Sequence, residues 1–186
     1  EIANIRTVPV TATVTIRDQK GSTLGRSSIK LKAKSQTKIQ TGAMLNTNEV
    51  GSVQVVPNQA GSLLTRSTSY FQGCQDNALQ SAYTIAAIVP GSTRQYSSYN
   101  RYLSMKNYLT TINTTKATPT VKLEVFSTKT VSESYKARAY QTKLVDLSDS
   151  GRYSTKPDSY GIGRITTSTK ATTAAFNLRL REMEGG

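Results

Sequence analysis

The sequence predicts an all-β protein made of two tandem antiparallel β-sandwich domains, and three observations carry that prediction. Apolar and polar residues alternate with period two over several short segments, as they do on strands whose successive side chains face opposite sides. Turn signals of Gly, Asp, Asn and Ser separate those segments, and no 3.6-residue apolar stripe competes with them. The first half of the chain also reappears in the second after about 107 residues, the mark of a repeated module.

The elements follow in order. Val14 and Ile16 point one way while Thr13, Thr15 and Arg17 point the other, and Asp18-Gln19-Lys20-Gly21-Ser22 turns the chain, with Gly21 free to take positive φ. The next strand places Ile29, Leu31 and Ala33 inward and Lys30, Lys32 and Lys34 outward. Short strands are expected near 37–41, 51–56, 62–71 and 82–89. From Gln95 to Leu109, Tyr96, Tyr99, Tyr102, Leu103, Lys106 and Tyr108 fall near helical spacing, but Ser and Asn disfavour a helix. This segment is read as a connector. In the second copy Val121, Leu123 and Val125 alternate with Lys122 and Glu124, and Tyr135, Ala137 and Ala139 with Lys136 and Arg138. Strands are expected again near 142–147, 161–166 and 173–181. Strand spacing of this kind reads as immunoglobulin- or fibronectin-like, with a first sandwich over 1–94, a connector over 95–109 and a second sandwich over 110–186.

The repeat itself is aligned on four matches. Thr11, Thr13, Val14 and Ile16 lie over Thr118, Thr120, Val121 and Leu123, and Gln36-Thr37-Lys38-Ile39 over Gln141-Thr142-Lys143-Leu144. Gly51-Ser52-Val53-Gln54-Val55 lies over Gly161-Ile162-Gly163-Arg164-Ile165, and Leu63-Leu64 over Ala174-Ala175. The offset drifts from 107 to 105 to 110, as it must if length changes sit in turns.

Composition narrows the function. The 186 residues are 36% hydrophobic and carry 24 Lys and Arg against 11 Asp and Glu, a net charge of +13. Residues 1–95 hold 10 basic and 4 acidic side chains and the remainder 14 and 7, so no basic tail of a nucleic-acid packager is present. With no histidine and one cysteine, His-based triads, His general bases and zinc sites are excluded. The longest apolar run, Ile85 to Val89, is five residues against the roughly 20 of a membrane helix. No membrane span is expected, and the start at Glu1 without methionine is read as that of a processed piece.

The residues Val121 to Val125, Gln141-Thr142-Lys143-Leu144, Tyr160-Gly161-Ile162 and Phe176 to Arg181, with Gly51-Ser52-Val53-Gln54-Val55 in the first copy, resemble tandem β-sandwich repeats of large bacterial surface and secreted proteins. The resemblance implies an extracellular or cell-surface module in an exported array, fibre or adhesive stalk, with no catalytic residues to carry over.

Candidate chemistry is sparse. Asp146, Asp149 and Asp158 form the one local acidic group; their spacing matches no calcium loop and they read as turn acids. Cys74, in a polar loop, has no neighbouring base to activate it. Gly161-Ile162-Gly163 lacks the third glycine of a dinucleotide site. Asn113-Thr114-Thr115 is a glycosylation sequon. Neither catalytic residue, cofactor nor metal is expected. The basic rows Lys30, Lys32, Lys34 and Lys136, Arg138 protect a strand edge or bind an acidic glycan or another polyanion; the Tyr and Arg mixture from Arg94 to Tyr108 could stack sugars or bases but, with no recognised nucleic-acid module present, is read as an interface.

The first copy continues to a strand near Tyr83 to Val89 that the second lacks. The expected consequence is an unpaired sheet edge in the second copy. Ile2, Ile5, Val8 and Val10 mark a segment able to add itself to such an edge on a neighbour, giving a homo-oligomer or, without closure, a filament. The expected function is therefore an extracellular structural or assembly module; the alternatives are an adhesin for acidic polysaccharide and a virion coat protein.

Overall fold

A computed structural model describes residues 1–45, 49–72, 79–170 and 172–181. The strands are β1 (Ile2–Asn4), β2 (Val10–Arg17), β3 (Thr23–Leu31), β4 (Gln36–Thr37), β5 (Ser52–Pro57), β6 (Leu63–Gln72), β7 (Leu79–Ala86), β8 (Arg94–Asn100), β9 (Met105–Asn113), β10 (Thr120–Phe126), β11 (Thr130–Lys136), β12 (Thr142–Asp146), β13 (Tyr160–Thr167) and β14 (Thr173–Arg181). A short helix, α1 (Ser150–Tyr153), and two 3-10 turns, Gly42–Met44 and Tyr102–Ser104, complete the regular structure. The protein is all-β with several antiparallel sheets. No helix among the described residues is long and apolar enough to cross a membrane.

Two units separate. The first comprises Glu1–Ile16, Thr23–Thr47 and Val53–Ile88, and the second Arg17–Ser22, Asn48–Ser52 and Val89–Gly186. The sheets of the first run β4-β1-β6-β7 and β3-β2-β5; those of the second run β12-β9-β14 and β11-β10-β13-β8. β-Branched residues alternating with small polar ones make β2 and β10 natural strands, and each lies between two neighbours in its sheet. In the second unit the apolar faces meet in one core: Leu109 of β9 and Val145 of β12 pack with Tyr99, Val121, Leu123, Val125 and Ile165 of the facing sheet, and Leu147 and Tyr153 close one end. Among the described residues the core of the first unit is smaller, with Ile2, Val14 and Leu31 buried and Ile29, Ile39, Val55 and Leu63 half-buried against them.

The units repeat one hydrogen-bond plan. Asn4 and Asn113 are both buried. Asn4 Nδ2 donates to the carbonyls of Val8 and Lys32, each at 2.9 Å; Asn113 Nδ2 donates to those of Ala117 at 2.7 Å and Arg138 at 2.8 Å. Each side-chain oxygen in turn accepts from the amide two residues on, that of Arg6 or Thr115. Lys34 and Tyr140 occupy the same left-handed turn position, at φ 53° and 56°, and donate their amides to the carbonyls of Arg6 and Thr115. Asn58 and Ser168 accept from the amides of Thr11 and Thr120. The Ser62 and Thr172 hydroxyls donate to Gln59 and Thr169. An uncapped buried carbonyl or amide is expensive, so the same polar residues fix the same turns in both units.

This plan corrects the alignment drawn from sequence. The offset is 109 residues at Asn4 and Asn113 and at Thr11 and Thr120, so Val14 corresponds to Leu123 and Ile16 to Val125, two positions beyond the sequence match. A slip of two leaves every side chain on its own face, and alternation is blind to it. The Gln-Thr-Lys match is wrong by one. Ile2 pairs with Thr37 and Ala3 with Gln36, while Ile112 pairs with Thr142, so Ile39 corresponds to Val145, both in the cores, and Leu144 is exposed. At the last strand Asn4 pairs with Leu63 and Asn113 with Thr173, which sets Leu63 over Thr173 instead of Ala174.

The segment read as a connector over 95–109 is instead regular structure of the second unit: β8, a 3-10 turn and β9. Its tyrosines follow strand alternation. Tyr99 points into the core and Tyr96 to solvent.

Candidate functional site

The structure places the residues singled out by sequence as follows. Lys30 lies in β3, but the strand ends at Leu31, so Lys32 and Lys34 lie beyond it. The row of three outward lysines on one strand therefore does not form. Lys34 sits in the left-handed turn and its Nζ donates to the Ile5 carbonyl at 2.7 Å; its counterpart is Tyr140, not a cation. The positions matched between units are Lys30 with Lys136 and Lys32 with Arg138, all exposed. Ile2 is buried in a strand already paired on both sides, by β4 and β6, and Val10 is buried in β2. Only Ile5 and Val8 are exposed. The amino-terminal segment is thus committed within its own unit, and its expected role as a donor strand fails on that pairing.

The sequon is likewise closed. The Asn113 amide that a glycosyltransferase would need is buried and holds two carbonyls. Asp146 accepts from the Ser148 amide at 2.8 Å and Asp149 caps α1 through the Arg152 amide at 3.0 Å. Cys74 lies outside the described residues.

The edge expected to be open in the second unit is the outer side of β14, and no strand among the described residues pairs with it; side chains alone bridge it to β8. Gln95 of β8 holds β14 with both ends of its amide, Nε2 donating to the Thr173 carbonyl at 2.8 Å and Oε1 accepting from the Ala175 amide at 3.1 Å. Asn177 Nδ2 donates to the Ser98 carbonyl at 2.7 Å. β8 also pairs along its length with β13, from Tyr160 opposite Asn100 to Thr166 opposite Arg94. In the first unit the strand matching β13 is β5, which has β2 on one side. No strand among the described residues pairs with its other side. Val53 and Val56 on it are exposed.

The other notable surface is the outer face of the β11-β10-β13-β8 sheet. Pairing sets Phe126, Ile162 and Ser98 in one row and Glu124, Arg164 and Tyr96 in the next, with Tyr160 and Asn100 at the end. Glu124 accepts from Arg164 Nε at 2.8 Å and Lys122 Nζ at 3.1 Å. The Arg164 hydrogen bond first, then that of Lys122, draws its carboxyl from the ordinary 4.5 to about 2. The Arg164 guanidinium lies 5.2 Å from the Phe126 ring centre. At the end of the face Tyr102 and Tyr160 stack, centroids 6.3 Å apart and planes inclined 27°. Beside them a shallow groove of about 460 Å³ is lined by Ser98, Asn100, Tyr160, Ile162 and Arg179, with Tyr99 and Gly161 at its floor. Gly161 explains its own presence. A Cβ there would stand 2.5 Å from the Tyr99 hydroxyl and from the Phe126 carbonyl that this hydroxyl bonds.

Sequence reasoning noticed Tyr96 and Tyr102 but assigned them to a connector, and used Tyr160, Ile162 and Arg179 only for the resemblance and the repeat, with no surface role. The usable signal is the alternation Tyr160, Ile162, Arg164 around Gly161 and Gly163, which marks one strand face only once β8 is recognised as its neighbour.

No family model, curated protein or solved structure matches the chain.

Proposed function

We propose that this chain is a structural assembly module of an extracellular array or filament, each unit an immunoglobulin-like sandwich, and that it joins other chains by β-strand pairing. One observation carries the reading: the outer side of β5 has no strand among the described residues, whereas its counterpart β13 carries β8 along seven paired positions. An edge strand presents unpaired backbone donors and acceptors and invites a further strand. On this reading the occupant is an antiparallel extended segment from another copy, contributed at β5 in place of the amino-terminal segment first considered. A heterologous contact of this sort, repeated without closure, propagates head to tail. Matched turn-fixing networks in both units support a mechanical role, since they repeat a scaffold.

Sedimentation and negative-stain microscopy of the purified chain test this. The expected result is concentration-dependent oligomers or strings that the double variant Val53→Lys, Val56→Lys disperses, because charge on an edge blocks pairing. A chain that stays monomeric throughout, or a variant that assembles like its parent, overturns the reading.

A further inference from the structure

The outer face of β8 and β13 has features that assembly through β5 does not use. Tyr160 is 76% exposed, Tyr96 61%, Ile162 49% and Tyr102 43%. Planar rings held this far into water on a rigid sheet are unusual for a surface without a partner. Two of them are already stacked on each other, which restricts the rings before any ligand arrives. Small polar side chains, Ser98 and Asn100, line the groove between them and Arg179. Along the strands the rows follow each other every two residues, about 6.8 Å. Three such steps separate Tyr160 from Thr166, opposite Arg94, so the face offers an extended track of about 20 Å.

We infer that this face binds a linear polysaccharide bearing a carboxylate on every second sugar. Pyranose rings present apolar C–H faces that lie flat on Tyr160, Tyr102 and Tyr96, their hydroxyls meet Ser98 and Asn100, and the exposed Arg179 and Arg94 take the carboxylates as charge-assisted pairs. Charge favours this ligand over nucleic acid. A nucleic-acid strand brings a phosphate at every nucleotide and needs an unbroken cationic track. Here the central cations, Arg164 and Lys122, share Glu124, whose charge interrupts the track. The ring and groove residues belong to the second unit, and the inference stands whether or not the assembly reading does.

Affinity electrophoresis in gels containing hyaluronate, which carries one carboxylate per disaccharide, with dextran and oligo-dT as comparison ligands, tests it. Hyaluronate retards the protein, and Tyr160→Ala weakens the interaction about tenfold, the scale of one lost stacking platform. Tyr160→Phe keeps it, and Arg179→Ala weakens it while flattening its salt dependence. Lys30→Ser with Lys32→Ser, in the other unit, leaves it unchanged, as does Val53→Lys with Val56→Lys, which separates this test from that of assembly. Tyr160 is mostly exposed, so its variants fold, and a far-UV spectrum verifies that. Absence of retardation, equal binding by Tyr160→Ala, equal retardation in dextran, or preference for oligo-dT each overturns the inference.

Discussion

The two units share a scaffold and differ in how they finish it. The second adds β8 to the free side of β13, and that one strand contributes Tyr99 to the core, Gln95 to the edge of β14 and Tyr96 to the outer face. The first spends its additional strand on the other sheet, where β7 pairs with β6 from Arg66 opposite Ala86 onward, and among the described residues β5 is left as an edge. Among the described residues ten buried side chains form the second core cluster and three the first. A strand in the β8 position therefore does more than satisfy a backbone edge. It covers one side of the core, and the unit without it holds half-buried apolar residues such as Val55 where its counterpart buries Ile165.

The largest effect is expected from the paired asparagines: Asn4→Ala and Asn113→Ala each orphan buried backbone groups and lower stability by about 3 kcal/mol, read by denaturant melts. Similar losses from both variants bear out one shared plan, while a neutral Asn4→Ala breaks it. Gly161→Ala forces a Cβ against Tyr99 and the Phe126 carbonyl, costing about 2 kcal/mol. Gly42→Ala in the first unit meets nothing within 4 Å and stays within about 0.5 kcal/mol. Equal effects from these two glycine variants count against the crowding argument.

Native-state hydrogen exchange resolves the cores directly. Amides of β10 and β13 exchange more slowly than those of β2 and β5, because protection follows local burial; equal protection shows that the smaller core is as stable as the larger. The smallest effect concerns Glu124. Its carboxyl is held down to about 2 by Arg164 and Lys122, so the stability it contributes is complete above the unfolded value of 4.5 and is lost as pH falls toward 2. Glu124→Gln flattens that part of the acid melting curve relative to wild type. A superimposable curve removes the pairing from the acid response.

Much of the scaffold was legible in sequence because period two is a local property. Val14 and Ile16, or Leu123 and Val125, announce their strands without help from the rest of the chain. The repeat was legible too, but its register was not: identity between Gln-Thr-Lys segments pulled the match one residue from the pairing that the cores select. The tyrosine face was only half legible. Tyr96 and Tyr102 stand in one stretch of sequence, while Tyr160 and Arg179, which complete the surface, lie about 60 residues or more away.

What the chain determined by itself is the all-β class, the place of the turns and the exclusion of histidine chemistry, since alternation, turn residues and composition act over a few residues at a time. Which side of each sheet receives an additional strand was decided only by the tertiary structure. Nothing local to β7 or β8 names a partner, and β6 and β13 are chosen by side-chain burial and backbone pairing between segments distant in sequence, for β8 by Tyr99 reaching over Gly161 to the Phe126 carbonyl.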